Sequence, residues 1–479
     1  MPVTTSTKEN APVRPRLVLA ICCISLLIVG MDATIVNIAL PAIQDDFGAS
    51  ISQLQWSVAA YTVALASLLI LSGSTADRLG RARIFQLGLV VFTLASLACA
   101  LAPSIEWLIA FRVLQGVGAS MLNPVAMSII RNTFEDPRER AQAIGVWGAV
   151  FGASLALGPV VGGLLVPLSW RAVFLVNIPI GIAAIALTAR FIPESRAAHP
   201  RRVDPVGQIL AVVMLSTLTA AIIEGPNLGW SSPGTVALFA TAAITSIAFI
   251  MYELRRTEPL IELRFFKSRP FSAATGIGVI AFAALGGFLF VNTLYLQEAR
   301  ALSPFEAGLC TLPMAAMLML VSPFSGRVVG RHGVRWPLAL GGLGVGVGSL
   351  MLVTLADDTP VAWLLTAYAI FGAGLGSLNP PITVTAVSGM PAAQAGVASA
   401  VASTSRLLGQ TLGVAIIGAV ATAGVTSSLA DQLAVASHPA WWLITVGALA
   451  IIGLAFAAST SAARSSASRT AALLGGVDD

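Results

Sequence analysis

Two ionisable residues interrupt long apolar segments of this chain, and both can do electrostatic chemistry there. Asp32 lies inside the apolar segment 17–40, and Arg112 lies inside the segment 105–130. A carboxyl group can take up a proton or attract a cation, whereas an arginine stays charged and can hold an anion or bias a neighbouring acid. The residues alone leave a structural alternative open for each: a hydrogen bond to a helix end for Asp32, and a fixed ion pair for Arg112.

A third charged residue, Arg406, lies with Gln410 in the apolar segment 394–421. Its structural alternative is that the long side chain extends along the helix and places its charge in water. Aromatic side chains in other apolar segments would suit flat lipophilic or cationic compounds, although packing against lipid is the alternative for each one singly. The residues predicted to line a common cavity are Asn37, Tyr61, Gln115, Trp147, Phe151, Asn292, Tyr295, Tyr368, Arg406 and Gln410.

A glycine-rich basic motif follows the second apolar segment, at 73–83, with the spacing Gly-x3-Asp-Arg-x-Gly-Arg. Glycine permits a tight turn, and the aspartate can accept hydrogen bonds from free helix-end amides or pair with a basic residue. A merely basic loop is the alternative, but the spacing favours a conformational latch whose ion pairs form in one state and break in another. The predicted latch consists of Gly73, Asp77, Arg78, Gly80, Arg81 and Arg131.

A second motif of small residues occupies the apolar segment 141–167. Small residues let membrane helices approach closely, and a proline inside a helix removes a backbone donor and kinks it. General helix packing is the alternative reading of these small residues. The motif consists of Gly145, Ser154, Gly158, Pro159, Gly162 and Gly163.

The elements that position these residues must be membrane-spanning helices. Of the 479 residues, 56% are hydrophobic and 10% are charged, whereas soluble proteins carry about 25% charged residues. The mean hydropathy is +0.87. This composition excludes a soluble enzyme, a disordered chain and a secreted disulfide scaffold. Apolar runs of membrane length predict an all-α polytopic protein with fourteen transmembrane helices, at 17–41, 55–75, 84–103, 105–130, 141–167, 172–192, 206–224, 234–254, 271–297, 303–326, 336–356, 360–388, 394–421 and 440–460.

The distribution of basic residues predicts the orientation of these spans. With the N-terminus inside, 23 of the 27 lysine and arginine residues fall in inner tails and loops. The outer loops hold only Arg171 and Arg300, and the remaining two arginines lie within spans. Since basic residues are retained on the cytoplasmic side, we expect a multi-pass protein of the cytoplasmic membrane with both termini in the cytoplasm.

Three local matches between the two ends of the chain predict an internal duplication. The segment at 32–37 resembles 287–292, the motif at 73–80 resembles 326–333, and 116–124 resembles 372–380, with offsets of 255, 253 and 256 residues. The predicted domains are a tail at 1–16, a six-helix bundle at 17–192, a linker at 193–270 with an inserted hairpin at about 206–254, a second six-helix bundle at 271–460 and a tail at 461–479. Paired bundles place a substrate cavity at their interface.

The two copies differ in charge, because the second has lost the ionisable residues of the first. Gly287 stands opposite Asp32, Gly330 opposite Asp77, and Tyr368 opposite Arg112. We therefore expect the coupling chemistry in the N-terminal half.

The motif at 73–83 resembles the loop signature of the major facilitator superfamily. The motif of the fifth span resembles the one characteristic of exporters in this superfamily, with Ser154 where the pattern usually has glycine. Three more segments are similar to the fourteen-span drug:proton antiporter family: Met-Asp-Ala-Thr-Ile-Val-Asn-Ile-Ala-Leu-Pro at 31–41, Arg-Val-Leu-Gln-Gly at 112–116, and Ser-Trp-Arg-Ala-Val-Phe-Leu-Val-Asn-Ile-Pro-Ile-Gly at 169–181. The resemblance implies coupling chemistry at Asp32 and a fifth span that seals the interface between the halves on the outer side. We predict that Arg112 takes part in this coupling with Asp32.

The resemblance thus implies a proton-driven exporter of lipophilic or cationic drugs that works by alternating access. Export of an endogenous metabolite or a self-made antibiotic is the main alternative, and a solute importer or a non-transporting membrane receptor is less favoured. We expect no enzyme activity and no cofactor, because no phosphate-binding loop occurs and the four cysteines lack metal-ligand spacing. The expected partners are small amphipathic substrates, protons and membrane lipid, without nucleic acid, and the chain is expected to function as a monomer.

Overall fold

The computed structural model describes residues 14–197, 203–391, 394–425 and 428–475. Most of the predicted tail at 1–16, the last four residues of the predicted tail at 461–479 and part of the predicted linker at 193–270 lie outside these ranges. Within the described ranges the chain is helical and contains no β-strand.

The N-terminal half forms eight helices, of which two are short continuations of their neighbours. Pro124 near the start of α5 lacks a backbone N–H, so the span that contains α4 and α5 is interrupted there. The helices are α1 (Pro15–Phe47), α2 (Ile51–Leu79), α3 (Arg81–Ala100), α4 (Ile105–Ser120), α5 (Asn123–Thr133), α6 (Pro137–Leu165), α7 (Ala172–Leu175) and α8 (Asn177–Phe191).

The described residues from 203 onward form ten further α-helices, with a 3₁₀ turn at Leu263–Lys267 before α11 and a π-helical turn at Tyr295–Ala299 after it. These helices are α9 (Pro205–Leu228), α10 (Pro233–Glu253), α11 (Arg269–Leu294), α12 (Pro304–His332), α13 (Arg335–Leu352), α14 (Val361–Val387), α15 (Ala395–Thr422), α16 (Leu429–Ala436), α17 (His438–Ala458) and α18 (Ser461–Gly475).

In the described part of the chain, thirteen helical segments are long and apolar enough to cross a membrane. The helix at the predicted eleventh span, α13, is not among them. It is 18 residues long, begins with Arg335, Trp336 and Pro337, and contains five glycines. These residues lower its hydropathy without adding charge to its interior. The multi-pass membrane architecture is therefore confirmed, while the count of fourteen stays a prediction.

The first helix is longer than its predicted span. It continues through Pro41 to Phe47 and ends at Gly48, which has a left-handed φ of 62° and donates its N–H to the Gln44 carbonyl. The apolar pattern alone ended the span at 41, because the polar last turn was read as a loop. Asp32 is 17 residues from the start of α1 and 15 from its end, so it lies near the middle of the helix.

The helices pack into two groups, which we name the N-terminal bundle (α1–α8) and the C-terminal bundle (α11–α17). We name the face at which α1 begins and α2 ends the tail side, and the opposite face the far side. The charge distribution predicts that the tail side is cytoplasmic.

Helices α9 and α10 pack against each other as a hairpin, and α9 also packs against α2 of one bundle and α15 of the other. The α9–α10 pair thus lies along the seam between the bundles.

Candidate functional site

The core of the N-terminal bundle contains an ion pair between Asp32 of α1 and Arg112 of α4. Asp32 Oδ2 lies 2.5 Å from an Arg112 guanidinium nitrogen, and the two side chains are 0% and 1% exposed. The other carboxylate oxygen, Oδ1, accepts hydrogen bonds from Gln115 Nε2 at 2.8 Å and Asn177 Nδ2 at 3.1 Å. Three helices, α1, α4 and α8, thus supply one buried, charged cluster.

Arg112 is held from several directions at once. It donates to the Ser57 carbonyl at 3.0 Å and to Gln115 Oε1 at 2.6 Å. Its guanidinium lies 4.3 Å from the centre of the Tyr61 ring, at a distance typical of cation–π contacts. Gln115 in turn donates to Ser96 Oγ at 2.8 Å. The arginine is therefore positioned even without Asp32, which leaves the carboxylate as the member of the cluster able to change its charge.

This arrangement can couple a proton to a movement of helices. An ionised Asp32 attracts Arg112 and accepts two further hydrogen bonds, whereas a protonated Asp32 loses the attraction and one acceptor position. A change in protonation therefore changes the force between α1 and α4. The structure brings together the predicted residues Asp32, Arg112, Gln115 and Tyr61.

Sequence reasoning did not select two members of this cluster, Asn177 and Ser96. Asn177 belongs to the segment 169–181 quoted above, and its polar amide in an apolar stretch could have identified it as a candidate. Ser96 gave no such signal, because single serines are common in membrane helices and bond to their own backbone.

The C-terminal bundle has a neutral pair at the corresponding place. The Tyr368 hydroxyl donates to Asn292 Oδ1 at 2.6 Å, and both side chains are buried. The Tyr368 ring contacts Phe288 edge-on with ring centres 4.9 Å apart. Tyr368 and Asn292 are the repeat counterparts of Arg112 and Asn37. The hydrogen-bonded tyrosine thus replaces the arginine, and no charge remains to be switched there.

Arg406 of α15 is held by neutral partners. It donates to Asn379 Oδ1 and Thr383 Oγ1, both at 2.7 Å, and to the carbonyl of Ala402 in its own helix at 3.2 Å. No acidic side chain pairs with it in the described chain. These partners hold the guanidinium between α14 and α15 of the C-terminal bundle.

The other predicted cavity residues are dispersed. Asn37 donates to the Thr34 carbonyl within α1 at 3.3 Å, and Tyr295 donates to the Ala356 carbonyl at 2.7 Å. Gln410 is buried in α15, while Trp147 and Phe151 are half-buried along α6. The structure does not bring these residues together.

A small hollow of about 10 Å³ lies where α1, α6, α11 and α12 meet. This hollow is much smaller than the pockets of about 300–1,000 Å³ that hold drug-sized ligands. None of the ten predicted cavity residues lines the hollow, and the cavity assignment stays a prediction. The lining residues are Thr34, Gly152, Leu155, Leu285, Leu289, Met314, Ala315 and Leu318.

The motif of the fifth span lies on the faces of α6 that contact α1 and α12. A side-chain atom added to Gly158 would collide with Thr34 of α1, and one added to Gly163 would lie 2.8 Å from the backbone of Phe305. Pro159 presents its carbonyl oxygen to Gly308 of α12. Pro159 and Gly163 therefore lie at the contact between the bundles, on the far side, whereas Gly158 faces α1 within the N-terminal bundle.

Ser154 and Gly145 differ from the rest of this motif in the contacts that they make. Ser154, which replaces a usual glycine, packs against Gly30, where any added side-chain atom would collide with the serine hydroxyl. The glycine that is missing at position 154 on α6 is thus compensated by Gly30 on α1. Gly145 has open space around it, with nothing within 4 Å of an added side-chain atom.

The predicted latch is only partly assembled. Arg81 pairs with Asp77, at 2.9 Å between a guanidinium nitrogen and Oδ1, and Gly80 has a φ of 118° that favours glycine. Arg131 does not join this pair in the described chain. It lies instead near Gly396 of α15, 3.5 Å from the position of an added side-chain atom.

Glu194 was missed by the sequence reasoning and completes the turn around Gly80. Its carboxylate accepts backbone hydrogen bonds from Ala82 at 3.1 Å and Arg83 at 3.2 Å. It therefore caps the free amides at the start of α3, where the helix dipole favours negative charge. A glutamate 112 residues away from its amide partner could not be assigned to a helix end by local spacing.

Within the described residues, no group of three or more His, Cys, Asp or Glu side chains could hold a metal ion.

Comparisons with known proteins show which proteins this chain resembles. The chain is 36% identical over 411 residues to "Multidrug resistance protein Stp" of Mycobacterium tuberculosis (strain CDC 1551 / Oshkosh), covering 86% of this chain and 76% of the relative. It is also 36% identical over 429 residues to "Tetracenomycin C resistance and export protein" of Streptomyces glaucescens, covering 89% and 79%.

A solved bacterial homologue of the human drug peptide transporters PepT1 and PepT2 shares the fold, with a TM-score of 0.68 and 14% identity over 96% of this chain and 100% of that one. The sequence profile of the Major Facilitator Superfamily matches residues 22–414. The chain therefore belongs to the Major Facilitator Superfamily of transporters.

Proposed function

We propose that this transporter exports lipophilic or cationic drugs from the cell in exchange for protons, by alternating access. The carrying observation is the buried cluster in which Asp32 pairs with Arg112 at 2.5 Å near the middle of α1. A carboxylate inside a membrane segment costs about 2.5–3.5 kcal/mol on insertion scales, and this cost is explained if the group binds the driving proton. The names of the two relatives support the export of toxic compounds.

Asp32→Asn tests this proposal, because it keeps the size of the side chain and removes its ability to release a proton. We expect the purified variant, reconstituted in lipid vesicles, to lose export of a lipophilic cationic dye driven by an imposed pH gradient. Asp46→Asn is the matched control, since Asp46 lies on the same helix but forms a half-exposed ion pair with Arg171. Unchanged proton-driven export by a well-folded Asp32→Asn protein would contradict the mechanism.

Export of an endogenous metabolite or self-made antibiotic is the alternative, with the same mechanism. The name of the Streptomyces relative combines resistance with export, which supports this alternative. Accumulation of a panel of toxic compounds in cells with and without the gene separates the two: protection against chemically unrelated drugs favours drug export, and protection against a single host product favours the alternative.

The proposal includes the arrangement expected from the sequence. We propose that α13 completes a set of fourteen spans, that both termini lie in the cytoplasm, and that the chain works as a monomer in the cytoplasmic membrane without a cofactor. The preponderance of basic residues in the predicted inner loops supports this orientation.

A further inference from the structure

Two carboxyl groups of the α9–α10 hairpin face each other at the tail side, away from the cluster around Asp32. Asp204 immediately precedes α9, and Glu253 is the last residue of α10. The two residues are only 3% and 2% exposed. Two buried carboxylates in contact repel each other, and they cannot both stay ionised at low cost. A proton or a cation close to the two carboxyl groups would reduce this repulsion.

Each carboxyl group uses one oxygen for outside donors and turns the other toward its neighbour. Asp204 Oδ1 accepts hydrogen bonds from the Gly207 amide at 2.9 Å and the Tyr252 hydroxyl at 3.0 Å. Glu253 Oε2 accepts one from the Ile261 amide at 3.1 Å. Asp204 Oδ2 and Glu253 Oε1 have no hydrogen-bond partner among the described residues.

The two free oxygens lie over the same residue, Gly207. A side-chain atom added there would be 3.0 Å from Asp204 Oδ2 and still closer to Glu253 Oε1. Glycine thus lets the carboxyl groups approach each other and interact. A proton is small enough to occupy the space between them.

The charged surroundings favour a single shared proton. Arg256 Nε lies 3.9 Å from Asp204 Oδ2, too far for a hydrogen bond but close enough to favour a negative charge on Asp204. If Glu253 Oε1 carries a proton, it can donate a hydrogen bond to Asp204 Oδ2, so that both oxygens have a partner. One negative charge then remains, on Asp204, opposite Arg256. The hollow beside Asp204 is otherwise lined by Ile70, Leu71 and Ser74 of α2, which carry no charge, and by Glu258 of the linker.

We propose that Asp204 and Glu253 form a proton-binding site that fastens the two linkers of the hairpin to each other. Asp204 ends the linker from the N-terminal bundle, and Glu253 holds Ile261 in the linker to the C-terminal bundle. Loss of the proton places two negative charges over Gly207, separates the carboxyl groups and releases Ile261. Because both linkers must adjust when the bundles move, this site makes their movement depend on the proton concentration at the tail side.

Infrared difference spectroscopy of the full chain in lipid detects the shared proton directly. During a titration from about pH 6 to about pH 9, spanning the range in which interacting carboxyl groups can exchange a proton, the wild type should lose a carbonyl band of a protonated carboxylic acid. Glu253→Gln should lack this titrating band, whereas Glu135→Gln, at an exposed carboxylate on the tail side, should retain it. An unchanged titrating band in Glu253→Gln would overturn the proposal.

Hydrogen exchange at the Ile261 amide reports the release of the linker. Protection of this amide in the wild type should fall with rising pH by more than it falls in Glu253→Gln, whose neutral amide oxygen still accepts the hydrogen bond. Comparison of the two proteins at each pH removes the intrinsic pH dependence of exchange. Equal pH dependence in both proteins would contradict a proton-controlled linker.

Gly207→Ala provides an independent variant, because its methyl group would separate the two carboxyl groups. It should lose protection at Ile261 at every pH. Gly234→Ala is the matched control in the first turn of α10, where an added side-chain atom meets only Leu228, at 3.9 Å. Normal protection in a folded Gly207→Ala protein would count against the site. None of these measurements requires drug export, so they test the site separately from the proposed function.

Discussion

Asp32 and Arg112 stabilise the N-terminal bundle only as a pair. Taking each charge out of water costs several kcal/mol, and their attraction offsets this cost only when the remaining hydrogen-bonding groups are also satisfied. Here Gln115 and Asn177 satisfy the second oxygen of Asp32, while the Ser57 carbonyl holds Arg112. Removal of one charge should therefore cost more than removal of both.

Arg112→Met tests this dependence by leaving Asp32 buried without its partner. We expect this substitution to lower the free energy of unfolding by about 3–5 kcal/mol, and we expect Asp32→Asn combined with Arg112→Met to lower it much less. Denaturant unfolding in lipid or detergent measures these differences.

The ion pair of Arg171 with Asp46 supplies the control for this cycle. Its side chains are 36% and 43% exposed, and such pairs contribute about 0–1 kcal/mol. Arg171→Met should therefore have little effect. A double variant that is as unstable as Arg112→Met alone would show that packing, and not an unpaired charge, causes the loss.

In the cluster around Asp32, the charged members are easier to predict from the sequence than the neutral ones. Asp32 and Arg112 are conspicuous because ionisable residues are rare in apolar segments. Ser96 and Asn177 come from other helices, and their contribution depends on which helix faces meet. The same limit applies to Glu194, which reaches the start of α3 through the fold and not through local spacing.

At the scale of helices, α6 is fitted closely to α1 through a row of small residues. Gly158 and Gly162 lie against Thr34 and Ile35, where an added side-chain atom would collide with α1 or lie within about 3 Å of it. Such close approach maximises dispersion contacts, which hold membrane helices together in the absence of a hydrophobic driving force. The small residues predicted close helix packing, but the sequence did not identify α1 as the partner or Gly30 as the residue opposite Ser154.

Gly158→Ala should disturb the contact between α1 and α6, whereas Gly145→Ala should be tolerated. Both residues belong to one motif, but only Gly158 faces a neighbouring helix, and overpacking costs about 1–3 kcal/mol. We expect Gly158→Ala to lower the unfolding temperature and the rate of export, and Gly145→Ala to change neither. Equal effects of the two substitutions would argue against this packing as the role of the motif.

Helix ends were less predictable than helix positions. Apolar runs located the spans, but α1 continues beyond its apolar run through Pro41 into a polar last turn. In contrast, α13 lies at a predicted span but is not among the thirteen segments that are long and apolar enough to cross a membrane. Hydropathy measures composition, whereas the helix length depends on hydrogen bonding and packing with neighbours.

At the scale of the molecule, the two bundles are joined on the far side. Gln55 of α2 donates to the Val414 carbonyl of α15 at 2.9 Å, and Gln297 donates to the Ile38 carbonyl of α1 at 3.0 Å. With the contact between α6 and α12, these interactions close the far side. A transporter that alternates between two sides must break them to open there.

The α9–α10 hairpin is attached to the two bundles unequally. Three side-chain hydrogen bonds connect α9 to α2: Trp56 to Glu224, Asn227 to Ser52, and Gln208 to the Ser67 carbonyl. Toward α15, by contrast, Ile223 belongs to an apolar cluster that includes Ala415. The internal repeat predicted a hairpin outside the two bundles, but it carried no information about this attachment, because the contacts are specific to α9 and have no counterpart in the repeat.

We therefore expect α9 to move with the N-terminal bundle and to separate from α15 when the far side opens. Two disulfides that share one cysteine test this prediction, because Ile223 lies in one apolar cluster with both Ala59 of α2 and Ala415 of α15. The pair Ile223→Cys and Ala59→Cys should allow dye export in oxidised vesicles. The pair Ile223→Cys and Ala415→Cys should block it until a reductant is added.

The two disulfides share the same position on α9 and differ only in the bundle that they bind, so strain at residue 223 affects both equally. Export that survives the link to α15 but stops with the link to α2 would mean that the hairpin travels with the C-terminal bundle. Export that survives both links would mean that the seam stays closed throughout transport, which would contradict opening of the far side between α2 and α15. If only the disulfide between positions 223 and 415 stops export, the hairpin moves with the N-terminal bundle. The bundles then separate at the contact between α9 and α15.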